Sequence, residues 1–148
     1  MIADFLRRLT ESPPEALPDP DARLALTALL VRLARADNVF TAQERTRIQN
    51  IVCERYGLDR AGAEALVVEA EAVEREAPDT VRFTRAIKDA VDYDDRIGVI
   101  EAMWAVVLVD GHRDDEEDAL LRMVAPLLGV NDRDSNLARR RVEARFST

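Results

Sequence analysis

The sequence has one cysteine, one histidine and one tryptophan in 148 residues, and Lys88 is the single lysine beside twenty arginines. Cys53 has no second cysteine to pair with, so an internal disulfide is excluded. It falls in a helical apolar pattern, where a lone thiol serves as a small buried hydrophobe; a reactive or metal-binding thiol is the alternative left open. With His112 as the only imidazole, few serines and no G-x-S-x-G, a hydrolase triad is not expected. No phosphate-binding P-loop and no G-x-G-x-x-G occurs. Five glycines and six prolines are too few for a loop-rich or low-complexity chain. The longest strongly apolar run, Ala102 to Val109, has eight residues, against about 20 needed to cross a bilayer. Residues 1–8 meet an acid at Asp4 and carry no long apolar stretch, unlike a secretory leader, so a cytoplasmic location is expected.

Positive charge is also in short supply. Twenty-one basic residues face 29 acidic ones, a net charge of −8. An acidic surface repels phosphate backbones, so nucleic acid is not an expected partner. A divalent cation or a basic protein surface fits the sign better. With 47% hydrophobic and 34% charged residues, the composition is that of a folded domain. The length suits a single domain over 1–148.

The apolar residues recur with helical periodicity, and no segment alternates as a strand does. Ile2, Phe5, Leu6 and Leu9 predict a short N-terminal helix, followed to residue 18 by a proline-rich linker with Pro13, Pro14 and Pro18. A helix starting near Pro20 carries Leu26, Leu29, Leu30 and Leu33 at i, i+3, i+4 and i+7. Thr41-Ala42-Gln43-Glu44 is a capping-box pattern opening a helix that Gly57 closes. Asp59 caps the next helix, which runs to the approach of Pro78. Asp79 or Thr80 opens a further one, with Val81, Phe83, Thr84, Ile87 and Ala90. Asp94 or Asp95 begins the most apolar helix, which contains Trp104 as a core residue and ends at Asp110-Gly111. Asp114 to Glu117 opens the next, where Pro126 should kink or shorten the end before Gly129 closes it. The last, over 131–146, carries Leu137, Val142 and Phe146 among five arginines. The expected fold is all-α, a bundle of seven to eight helices with short connections.

Two of these segments repeat at an offset of 73 residues. In each, an apolar helix ends in Asp37 or Asp110, followed by Asn38 or Gly111. A cap comes three residues later (Thr41 or Asp114), then Glu44 or Glu117 three further on, and apolar Ile48/Leu121 and Ile51/Val124 follow. Two helix–turn–helix units related by a pseudo-twofold axis are expected, each too small to bury its own apolar face. Asp37 continues the stripe of Leu26, Leu30 and Leu33, and Asp110 continues that of Met103, Val106 and Val107. Glu44 and Glu117 precede their stripes by four and seven residues. All four carboxylates therefore extend apolar faces. Carboxylates gathered in a partly buried place need cations, helix N-termini or protons. Oxygen ligands suit Ca²⁺, Mg²⁺ or Mn²⁺, and His112 would admit Zn²⁺. The competing reading makes Glu44 and Glu117 capping-box partners and leaves Asp37 and Asp110 as turn acceptors. Asp110–Glu117 lacks the ligand spacing of an EF-hand, and no Glu-x-x-His of a di-metal bundle occurs. The arginines 139, 140, 141 and 145 offer either an exposed face or a dock for an acidic surface, in cis or in a homodimer.

The phrase Leu33–Glu44 and its echo Val107–Glu117 resemble the TerB-like tellurite-resistance family, whose hallmark is an apolar helix ending in Asp-Gly, then an acidic or hydroxyl cap, then Glu, present twice. The resemblance covers roughly residues 20 to 130. It implies an all-helical single domain with an acidic surface and a metal-linked role in stress-response complexes near the membrane; with the catalytic motifs above absent, a non-enzymatic role is expected. Related domains occur in DnaJ-like co-chaperones. Asp37 and Asp110 match the family Asp, and Glu44 and Glu117 the family Glu. Asn38 stands where Gly is usual, and no His-Pro-Asp tripeptide is present, so co-chaperone activity of that kind is not implied.

Overall fold

The helix built on Leu26, Leu29, Leu30 and Leu33 is buried on all sides. In the computed structural model, Leu24, Ala25, Ala28, Val31 and Ala34 are as buried as the four leucines. The periodicity predicts one apolar face. The real helix is central, and its one mid-helix hydroxyl, Thr27, is satisfied locally by donating to the carbonyl of Arg23 at 2.7 Å.

The structure describes residues 5–6, 19–36, 40–77, 80–108 and 115–146, without the side chains of 19–20, 115–118 and 146. Among these residues there are seven helices and no strand: α1 (Asp19–Ala34), α2 (Ala42–Tyr56), α3 (Arg60–Glu76), α4 (Val81–Ala90), α5 (Tyr93–Val107), α6 (Asp115–Leu127) and α7 (Asp132–Phe146). Residues 5 and 6 are helical as well, and Phe5 is buried. Helix α1 packs against α2, α3, α4, α5 and α6. Helix α5 is the second hub, against α7, α1, α2, α6 and α4, and it buries every residue from Val99 to Val107 except Glu101.

Local sequence explains the helix ends. Thr41 and Glu44 form the capping box in both directions, and Asp59 accepts the amide of Gly62 at 2.7 Å. Asn131 does the same for Asp134 at 2.8 Å. Gly57 and Gly129 close α2 and α6 at φ 63° and 73°. There a residue with a Cβ is strained, and each glycine is followed by an amide bonded back five residues: Leu58 to the Cys53 carbonyl and Val130 to that of Ala125. Pro126 lies inside α6, one residue from its end.

Two expectations are corrected, and for the arginine-rich helix one of the open alternatives is found. Helix α5 begins at Tyr93, before Asp94 and Asp95, which occupy its first turn; their charges favour the positive end of the helix from inside it. Leu137, Val81 and Ala90 fall on exposed faces, because α4 and α7 present only a narrow strip to their neighbours. The arginine-rich α7 docks in cis: Arg141 and Arg145 pair with Glu101 of α5 at 3.1 and 3.3 Å, and Arg139 lies over the Trp104 ring at 5.2 Å.

The start of α5 is tied to the α6–α7 corner through Tyr93. Its phenol donates to Asp134 at 2.6 Å, and Asp134 holds the Tyr93 pKa above its ordinary 10.0, because ionisation would forfeit that bond and set two anions together. A raised folded-state pKa means the bond's stabilisation is complete below pH 10 and fades as pH climbs through the higher folded value. Absorbance titration of Tyr93→Phe should therefore remove a late-titrating phenol. Its stability deficit should shrink above pH 10; a constant deficit across that range would disprove the link.

Candidate functional site

The first acidic turn follows α1, whose last carbonyls are partly used by the amides of Arg35 and Ala36. Asp37 lies outside the described residues, as do Asp110 and His112 of the second turn. Glu117 is on α6, but its side chain is outside them too. Glu44 alone of the four predicted carboxylates can be placed in full. It is 5% exposed, and one oxygen accepts the Thr41 amide at 2.9 Å while the Glu44 amide donates to the Thr41 hydroxyl at 3.0 Å. That bond holds the carboxylate at the mouth of α2 and satisfies an amide the helix leaves orphaned.

Two more carboxylates stand on the helix beside it. Glu71 of α3 pairs with Arg45, whose guanidinium also lies 5.2 Å from the Phe40 ring centre. The Glu74 carboxylate forms ion pairs with Arg32 at 3.5 Å and Arg35 at 3.8 Å. Arg32 in turn donates to the carbonyls of Glu74 and Ala77 at 3.0 and 2.8 Å, and covers Phe83 at 5.5 Å. These three arginines link α1, α2, α3 and α4. Sequence reasoning missed Glu71 and Glu74, although the signal was present. Glu71 is i+4 from Val67, and Glu74 is i+4 from Ala70 and i+7 from Val67. That is the same placement on an apolar stripe that singled out Asp37 and Glu44.

The described carboxylates here thus have partners on the chain itself: an amide for Glu44, guanidinium groups for Glu71 and Glu74. Among the described residues, no group of three or more His, Cys, Asp or Glu side chains is placed to hold a metal ion. Of the four predicted ligands, the side chains of Asp37, Asp110 and Glu117 thus lie outside the described residues, and the cap occupies one of the two oxygens of Glu44. Cys53 is half-buried against the core, with its thiol donating to the Leu58 carbonyl at 3.1 Å, which fits the structural use of a small hydrophobe.

Comparison with known proteins came out one-sided. The protein-family model described as "Tellurite resistance protein TerB" matches residues 23–140, about four-fifths of the chain. No curated protein and no solved structure matches.

Proposed function

The chain belongs to the TerB tellurite-resistance family, and from that premise we propose that it does no covalent chemistry of its own and acts as a binding module. Its two acidic turns hold a divalent cation through Asp37, Glu44, Asp110 and Glu117, and its helical surface engages a protein partner. The observation that carries this reading is where the turns arise. They follow α1 and α5, the two most buried helices, which pack on each other. A bound cation would neutralise the carboxylates and tie the two turns; an all-oxygen donor set suits Ca²⁺, Mg²⁺ or Mn²⁺.

The two halves are also read as related by a pseudo-twofold axis. Adding 73 to the starts of α1, α2 and α3 gives 92, 115 and 133, beside starts of 93, 115 and 132 for α5, α6 and α7. The packing pairs exchange in the same way: α1 on α3 and α5 on α7, α2 on α5 and α6 on α1. Arg23 and Arg96, again 73 apart, each reach the end of the second helix of a unit. Arg23 lies over Tyr56 at 4.8 Å, and Arg96 donates to the Leu128 carbonyl at 2.9 Å.

A second reading has an observation of its own in favour. The capping box is complete, and arginines neutralise Glu71 and Glu74, so Glu44, Glu71 and Glu74 have partners without an ion. On that reading the module is purely structural and interactive. Calorimetric titration of chelator-stripped protein with each cation separates the two. Saturable binding to one ion, lost in Asp37→Asn with Asp110→Asn, supports the site; absence of heat with every ion, or binding that survives the double substitution, removes it.

A further inference from the structure

Helix α4 stands outside the repeat, and it fills a groove. It packs on α1 and α6, with its buried face made by Phe83, Thr84, Ala86 and Ile87. Phe83 lies under Arg32 of α1 at 5.5 Å, and the Lys88 stem reaches Gly129 at the end of α6. The related groove in the other half lies between α5 and α2. Shifting by 73 residues carries Ala25, Leu29 and Arg32 of α1 to Gly98, Ala102 and Ala105 of α5, and Val124 of α6 to Ile51 of α2. Those four residues, Gly98, Ala102, Ala105 and Ile51, line an open cavity of about 460 Å³. No helix of this chain among the described residues fills it as α4 fills its counterpart.

The two grooves differ in their rims. At the rim positions Arg47, Glu54 and Arg55 of α2, a shift of 73 residues gives Leu120, Leu127 and Leu128 on α6, the helix that α4 packs on. A charged rim keeps an open groove hydrated, as an exchangeable site requires. The charge balance is positive on a chain of net charge −8. Glu101 is already matched by Arg141 and Arg145. Arg55 donates only to the backbone carbonyl of Asp95, at 3.2 Å, and meets no carboxylate among the described residues. Small floor residues let a helix backbone approach closely, and the apolar face of α4 gives the pattern of what lies on such a floor.

We propose that the α2–α5 groove is the docking site for a partner protein's amphipathic helix of about three turns, with an apolar face like that of α4 and acidic flanks that meet the rim carrying Arg47 and Arg55. This deepens the interaction part of the function proposed above and rests on the pseudo-twofold reading, and it is independent of any cation.

The probe is a peptide of residues 80–91, helix-stapled through the outward positions 85 and 89, with R82E and K88E. Positions 82 and 88 flank the apolar face on opposite sides at 100° per residue. The basic parent with the same staple is the control. The acidified peptide should bind about tenfold more tightly than the parent, the effect of two exposed charge pairs. Amide shifts should concentrate in α5 and the facing side of α2. The R47E/R55E double variant should reverse the preference, and E54R, at an exposed position, should strengthen binding of the acidified peptide; E54R keeps the test valid if the double variant misfolds. Equal binding of both peptides, no binding, or shifts outside α2 and α5 would overturn the proposal. So would a dimer by light scattering that R47E/R55E dissociates, because the occupant would then be a second copy. None of these outcomes depends on the calorimetric titration, so failure of the groove and failure of the cation site are read separately.

Discussion

Leu30→Ala should lower the stability of the protein by about 2–5 kcal/mol, the cost of deleting a buried leucine and leaving a cavity that closes only partly. Leu30 is fully buried in the middle of α1, which packs on five other helices. Because neighbours surround α1, no solvent-facing side exists toward which the structure can relax. For a chain of this length each kcal/mol moves Tm by about 2–4 °C, so a fall of roughly 10 °C is expected. Urea unfolding followed by the fluorescence of Trp104, itself only 7% exposed, gives the number directly. A loss below about 1 kcal/mol, the range of ordinary surface substitutions and mild core trims, would show that α1 is not the centre of the fold.

Phe83→Ala should cost a similar amount, about 3–5 kcal/mol. The Phe83 ring is fully buried beneath Arg32 and joins α4 to α1. Its removal takes away the largest buried side chain of α4 and uncovers a guanidinium that also donates to the carbonyls of Glu74 and Ala77. Val81→Ala on the same helix is the control: Val81 is 45% exposed, and its truncation should stay within about 0.5 kcal/mol. Equal losses for the two would mean that α4 is held by its length rather than by the face that fills the α1–α6 groove.

These two positions show how far periodicity reaches. The i, i+3, i+4, i+7 pattern identified Leu26 to Leu33 as core, and the caps at Thr41 and Asp59 and the glycines at 57 and 129 marked helix ends correctly, because each acts through bonds within a few residues. The same pattern read α1 as one-sided. Alanines and Thr27 complete its buried surface, and only the number of packing neighbours makes those positions core. Leu137 is the converse: it is apolar and in register, yet 38% exposed, because α7 rests on α5 through Ala138, Val142 and the arginine pairs with Glu101. At the acidic turns the sequence brought out Glu44 by its spacing. The partners that neutralise the surroundings, Arg45 with Glu71 and Arg32 with Glu74, come from residues about 26 and 42 apart in the chain, a separation that no local pattern encodes.

Membership of the TerB family and the all-helical architecture leave one question at the centre of the account: whether the repeated acidic turns hold an ion or only cap helices. Thermal melting of chelator-stripped protein, alone and with Ca²⁺, Mg²⁺, Mn²⁺ or Zn²⁺, addresses it most directly. A ligand present at 100 times its Kd stabilises the folded state by about 2.7 kcal/mol, which should raise Tm by about 5 °C or more in a domain of this size. The account predicts such a rise with one ion, absent in Asp37→Asn with Asp110→Asn. Unchanged melting with every ion would contradict it and leave Glu44 with its capping role alone.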